Sequence, residues 1–360
     1  MATHCAICQD NTFWDGCDWT TYDGTVITNA TERDAYYKAR YTSLSAWDTA
    51  EATSLEEPHI AEIMGPWPTV QPYVELSGSW GASYLITLTV ATIGQARHNG
   101  ALTSSCYRVE STGRCFYQYS SISGLIYDGL AGTSTSTSDE VFQLPPYGVF
   151  GQIKNCLAFG GKSGFYAARG NNTAGLFMFD NCIAVGAYES GFYNRTESYA
   201  PGRITNCTAY DCNKSNNFYR GGIFLENTYT KAINCLSLGN GKKDYRLRNA
   251  VDPVFSMSLD STLSGIATCT TGITPASTFV SPGTDFSLLS TASAKDAGDY
   301  QDGVLLTDIV GTNRDPNNID IGAFEYDTGY TPQTLVTVII DGMIEGSVMA
   351  IYNSSTNAEI

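Results

Sequence analysis

His4, Cys5, Cys8 and Cys17 stand close together near the start of the chain. Thiolates and imidazole nitrogens are the ligands zinc takes, and a Cys-x-x-Cys step is a workable chelate. His4 directly beside Cys5 fits one tetrahedral site poorly. Two readings therefore stay open: a zinc site, or a docking arm (residues 1–30) that buries these cysteines with Trp14 and Trp19 against a neighbouring protein. A second set is aromatic. Phe165-Tyr166, Phe192-Tyr193 and Phe218-Tyr219 recur, with Arg169, Arg195 and Arg220 close by in sequence. If the phenylalanines point inward on strands, alternation turns Tyr166, Tyr193 and Tyr219 outward. Outward aromatics beside arginines suit sugar rings or a protein partner; the plainer reading is a ladder of rings stacked on one another.

Cleaving a polysaccharide by hydrolysis needs two carboxylates about 5–9 Å apart. Cleaving it by elimination needs acidic calcium ligands and a basic side chain. In the repeats described next, the acids are Asp180, Glu189, Glu197, Asp211, Glu226 and Asp244. No two fall at equivalent places, and no calcium cluster is visible, so no catalytic residue is named and no cofactor is expected. Gly161-Lys162-Ser163 resembles the end of a phosphate loop, but Cys156 stands where that pattern needs glycine and the segment precedes no helix. Arg314 with Asp308, Asp320 and Glu325 reads as an ion-pair network closing the last coil. His59 and His98 read as structural.

The elements that carry these residues repeat. Ile153-Lys-Asn155-Cys156-Leu-Ala158, Phe179-Asp-Asn181-Cys182-Ile-Ala184, Ile204-Thr-Asn206-Cys207-Thr-Ala209 and Ile233-Asn234-Cys235-Leu-Ser237 share one pattern, with asparagines 26, 25 and 28 residues apart. Short apolar runs at a period in the twenties, without a leucine-rich or helical-repeat frame, predict a solenoid. The fold expected is all-β: a right-handed, single-stranded parallel β-helix with one coil per repeat and equivalent residues stacked about 4.8 Å apart. Asparagine suits such a column because it tolerates the left-handed conformation and its amide can bond its neighbours. Cys156, Cys182, Cys207 and Cys235 suit the next position as small buried hydrophobes. Fainter runs at 72–76, 84–90, 106–110, 122–127, 266–269, 285–289 and 319–324 extend the count to roughly eight to eleven coils, a rod on the order of 50 Å.

Around the β-helix (31–327), residues 31–52 predict a helical N-terminal cap, with Ser43 or Ser45 as N-cap. Gly132–Ser138 reads as a loop ending at Pro145-Pro146, and 328–334 as a linker. Residues 335–360 look like the start of a small β-sandwich-like segment. The formal charge is −16 on 360 residues. An acidic chain is a poor partner for nucleic acid, and its one basic cluster is Lys242-Lys-Asp-Tyr-Arg-Leu-Arg248. No apolar run is long enough to cross a membrane, and no secretory signal is visible at the start. The eleven cysteines are expected as free thiols, since stacked coils need not present bonding geometry.

Tyr41-Thr-Ser-Leu-Ser-Ala-Trp47 with its acidic helix, Arg97-His-Asn-Gly100 and the Asn-Cys coils resemble β-helix proteins of tailed bacteriophages and environmental viruses. Asp285-Phe-Ser-Leu-Leu, Asp296-Ala-Gly298, Asp308-Ile-Val-Gly-Thr-Asn-Arg314 and Asp320-Ile-Gly-Ala-Phe-Glu325 are similar to the closing coil of pectate-lyase-like β-helix proteins. The tail from Ile340 to Asn353 resembles the opening of a β-sandwich module common in phage structural proteins. The resemblance covers roughly 31–360 and implies a virion protein: a fibre, spike or capsid decoration. It would be assembled in the host cytoplasm and carried on the virion surface, non-enzymatic and held to other virion proteins by its termini. Host surface polysaccharide is a possible partner and a homo-oligomer a possible form. The alternatives are a polysaccharide depolymerase of the lyase or glycoside hydrolase type and a bacterial surface adhesin.

Overall fold

The computed structural model describes residues 3–21, 23–52, 58–76, 80, 85–90, 96–118, 124–144, 150–168, 176–195, 202–226, 229–248, 253–300, 305–326, 335–338 and 349–352. Three parallel sheets run along the molecule, of nine, seven and seven strands. Each coil contributes one strand to each sheet, as in Leu176–Asp180, Ile183–Val185 and Ser190–Arg195, stacked in register on Phe150–Lys154, Leu157–Gly160 and Ser163–Ala168. Among the described residues six coils are complete, from Leu85–Val90 to Tyr245–Leu247. This is the expected parallel β-helix.

The corner between the first and second sheets is where asparagine earns its place. Asn155, Asn181, Asn206 and Asn234 have φ of 54°, 52°, 50° and 52°, the left-handed bend that asparagine tolerates better than other side-chain-bearing residues. The four form a single file, but not a continuous amide ladder. Asn181 Nδ2 donates to Asn155 Oδ1 at 3.2 Å and to the Thr307 carbonyl at 2.6 Å. Asn234 instead exchanges bonds with the Asp299 backbone. Asn206 is fully buried with neither amide atom bonded. Asn206→Gly is therefore expected to change stability by less than about 1 kcal/mol, while Asn181→Gly, which strands several partners, costs about 2 kcal/mol or more. Urea midpoints of the two variants check this; equal losses would contradict it.

The cysteines beside these asparagines point inward as free thiols, and all eleven cysteines are unbridged. Inside, bulky and small faces oppose each other. Phe116, Phe142, Phe165 and Phe192 stack at 4.6, 5.1 and 4.9 Å between centroids. They face the small inner residues Gly132, Ala158, Ala184 and Ala209 of the second sheet. A Cβ on Gly132 would meet Val141 at 2.6 Å, so that position must stay bare.

Four expectations need correction. Residues 1–30 are not a separate arm: Thr3–Ile7 lies within the first sheet, between Ala39–Tyr41 and His59–Ile63. Together with Ala30–Tyr36 and the helix Leu44–Glu51, N-capped by Ser43, it closes the N-terminal end. The Ser/Thr stretch after Gly132 is no loop at its start, since Ala131–Ser134 is a second-sheet strand. The runs at 266–269, 285–289 and 319–324 do not form further coils. The reason is that the second sheet's outer face is also apolar, with Leu157, Ile183, Leu236 and Met257, and needs a cover. The antiparallel hairpin Phe279–Ser281/Asp285–Leu288 and the stretches 292–300 and 305–326 supply it, with Phe279, Phe286, Ile309, Ile321 and Phe324. The supposed closing coil is thus a strap laid along the side of the solenoid. Leu335–Val338 and Met349–Tyr352 pair antiparallel; the linker 328–334 lies outside the described residues.

Candidate functional site

Three places carry candidate chemistry: the Cys/His set, the outward carboxylates and the outward aromatics. The first does not converge. Along Thr3–Ile7 the side chains alternate, so Cys5 enters the solenoid core while Cys8 and Cys17 pack on the other side with Trp14 and Trp19. His4 stacks on Tyr36 at 4.5 Å. Among the described residues, no group of His, Cys, Asp and Glu could hold a metal ion, and the zinc reading is withdrawn. Burial pushes the Cys5 thiol up to about 12, which suits a packing residue.

The outer face of the first sheet holds a column the sequence did not reveal. Register places Glu62, Thr89, Asp128, Lys154, Asp180 and Thr205 on successive rungs. Asp128 and Asp180 lie two rungs apart, about 9.6 Å along the stack. The missed signal was Tyr127-Asp128-Gly129, which matches Phe179-Asp180-Asn181 once Gly129, at φ 75°, is allowed the asparagine's place. Neither carboxylate is open. Asp180 is 1 % and Asp128 4 % exposed. Asp128 receives Lys154 at 3.3 Å, Arg97 at 3.2 Å and Asn155 at 2.9 Å. Asp180 receives Gln152 at 2.8 Å and Arg203 at 3.3 Å. Burial raises the Asp180 pKa against the pull of Arg203 and Gln152. A polymer has no way to reach either group as they stand.

No family model matches the chain, and no curated protein matches it. Among solved structures, the chain is similar to "Crystal structure of pectate lyase Pel9A", with a TM-score of 0.39 and 12 % identity over 91 % of this chain and 96 % of that one. The likeness carries nothing about chemistry, which rests on this chain's own residues.

The third sheet's outer face has the expected aromatics, in part. Gln143, Tyr166, Tyr193, Phe224 and Arg246 share one column. Tyr193 sits 5.2 Å from Tyr166 and stacks on Phe224 at 4.7 Å. The protein's own charges close over this stretch. Arg220 lies 4.8 Å above the Tyr193 ring while paired with Glu189 at 2.7 Å. The Tyr193 hydroxyl donates to Glu226, which also holds Arg248, both at 2.8 Å. Burial, with Glu226 alongside, raises the Tyr193 phenol. Here the self-stacking reading describes what is seen.

Phe218 and Tyr219 are not in the column, contrary to expectation. The connection between Thr208–Tyr210 and Ile223–Leu225 is long, and its left-handed residues Asp211, Asn213 and Asn216 carry the aromatic pair out before the strand begins. Ile223 and Phe224 take the expected places, and Phe218 and Tyr219 are left 63 % and 71 % exposed. Tyr245 of the next coil falls in the inward file, below Ile223. Arg195 ends its strand with its side chain undescribed, and Arg169 lies outside the described residues.

Proposed function

We propose that this protein is a non-enzymatic structural solenoid of a bacteriophage particle, surface-borne, that contacts host glycans through exposed aromatic side chains at the turn 211–221. The observation that carries the non-enzymatic part is the state of Asp128 and Asp180. They share a column, but both are buried and engaged by cations and amides. The glycan part is supported by the opposite state of Phe218 and Tyr219, large aromatic faces left in solvent that suit the apolar faces of sugar rings. The virion part is supported by the sequence resemblance of the cap, the Asn-Cys coils and the tail. Other virion proteins at the termini, and further copies of this chain, belong to the same reading. A rod with continuous backbone ladders suits life outside a cell, because it offers few local openings to proteases.

The test is incubation with purified capsular and O-antigen polysaccharides, following reducing ends and unsaturated products alongside binding. Binding without release is expected. Released oligosaccharide that disappears in Asp180→Asn would replace this reading with a depolymerase, whose two-rung carboxylate spacing lies near the upper limit for inversion. A map of intact particles that lacks the rod would remove the virion assignment.

A further inference from the structure

The chain carries a net charge of −16, yet its cations are unevenly spread. Residues 242–248 hold Lys242, Lys243, Arg246 and Arg248 against the single acid Asp244. Asp244 is buried and taken up by the backbone N–H groups of Asn240, Leu259 and Asp260. Arg248 is spent on Glu226. Lys242, Lys243 and Arg246 face no carboxylate among the described residues.

The fold brings these cations to the exposed aromatics. Gly241 N donates to the Cys212 carbonyl at 2.8 Å and Gly222 N to the Lys243 carbonyl at 3.1 Å, so the turn bearing the lysines lies on the turn bearing Phe218 and Tyr219. Lys242 Nζ stands 5.2 Å from the Phe218 ring centroid. One rung away, Ser215 N donates to the Tyr188 carbonyl, and Tyr188 is itself 40 % exposed. The turn is held in shape by asparagine side chains. Asn213 Nδ2 donates to the Asn217 carbonyl, Asn213 Oδ1 accepts from Asn217 N, and Asn217 Oδ1 accepts from Tyr219 N at 2.8 Å. The rings are thus exposed on an ordered support, which lowers the entropy lost on binding.

We propose that this corner, formed by Tyr188, Phe218, Tyr219, Lys242, Lys243 and Arg246, binds an acidic polysaccharide: sugar rings lie on the aromatic faces and their carboxylates meet the cations. The inference rests on the glycan reading above and names the ligand's chemistry and place. A nucleic acid also combines rings with negative charge, but its closely spaced phosphates would meet the −16 field of the chain. A polymer with one carboxylate every sugar or two places fewer charges against that field.

The experiment is titration calorimetry with hyaluronate oligosaccharides, their carboxyl-reduced neutral forms and a single-stranded deoxythymidine oligomer at low salt. The acidic form is expected to bind roughly tenfold tighter than the reduced form, a preference that shrinks with added salt. Lys242→Ala/Lys243→Ala is expected to remove the preference and leave binding of the reduced form, whereas Tyr219→Ala weakens both roughly fivefold. These side chains lie on the surface, so unchanged near-ultraviolet circular dichroism confirms that the variants fold. Equal binding of acidic and reduced forms overturns the acidic-ligand proposal and leaves the glycan reading standing. Absence of binding to either form overturns both. Tighter binding of the deoxythymidine oligomer than of hyaluronate overturns the proposal in favour of nucleic acid.

Discussion

Replacing Arg314 with methionine is expected to lower the unfolding free energy by about 3–5 kcal/mol, the cost of leaving the buried acceptors around a guanidinium without their donor. The side chain is fully buried and bridges parts of the chain far apart in sequence. Nη1 donates to Glu325 Oε2 at 2.8 Å and to the Asp320 carbonyl at 3.2 Å. Nη2 donates to the Gly322 and Ala323 carbonyls and, at 3.3 Å, to Asn181 Oδ1 in the corner file. Methionine fills similar space and satisfies none of these acceptors. Arg314→Lys keeps the charge but not the planar fork, and is expected to recover less than half of the loss. Urea denaturation measures the sizes. Hydrogen exchange locates the damage, because Gly322 N donates to the Asn234 carbonyl and Ala323 N to Thr208 Oγ1, bonds that open if the strap lifts. A loss below about 1 kcal/mol, with those amides still protected, would mean that apolar contacts alone hold the strap.

That strap marks the limit of what the sequence tells. The coils were legible because two demands coincide at Asn155, Asn181, Asn206 and Asn234: a left-handed bend that few residues accept and a neighbour small enough to stack. The strap was not, because Leu157, Ile183 and Leu236 look like any strand residue in sequence, yet they lie on the outer face of the second sheet. Only the assembled sheet shows a second apolar surface, and with it the need for Phe279, Phe286 and Phe324. Tyr219 was misplaced for a related reason. A run of left-handed residues lengthens its turn, and period counting places rings by spacing without knowing where the strand resumes. Asp128 escaped notice because a glycine did the asparagine's work beside it. Thr3–Ile7 has no repeat of its own; its partners are the strands at 39–41 and 59–63, and nothing local announces them.

The second large effect is one of pH, and it concerns the same cluster. One buried guanidinium faces three acids: Glu325, Asp320 and Asp308. Glu325 and Asp320 share that one cation and are largely buried, so ionising both is costly. Burial pushes Glu325 up to about 7, against the pull of Arg314 and with Asp320 adding to the rise. Between the ordinary glutamate value of 4.5 and about 7, the folded protein keeps a proton that the unfolded chain gives up. Stability from this group is therefore intact at low pH and falls as pH rises through that window, by on the order of 3 kcal/mol in total. Asp320, Asp180 and Asp244 are raised by burial too and act in the same direction. His98 acts oppositely: burial drives it down to about 3, so it costs stability as pH falls below 6.5. The bare pH profile sums these effects, and only a variant isolates Glu325. Glu325→Gln, which never ionises, is expected to lie within about 1 kcal/mol of the parent near pH 5 and to exceed it by up to about 3 kcal/mol at pH 8. Urea midpoints of both proteins at the two pH values decide the matter. Parallel profiles would show that Glu325 is ionised throughout, and the strap would then be held by a full ion pair rather than by a guanidinium beside a largely protonated acid.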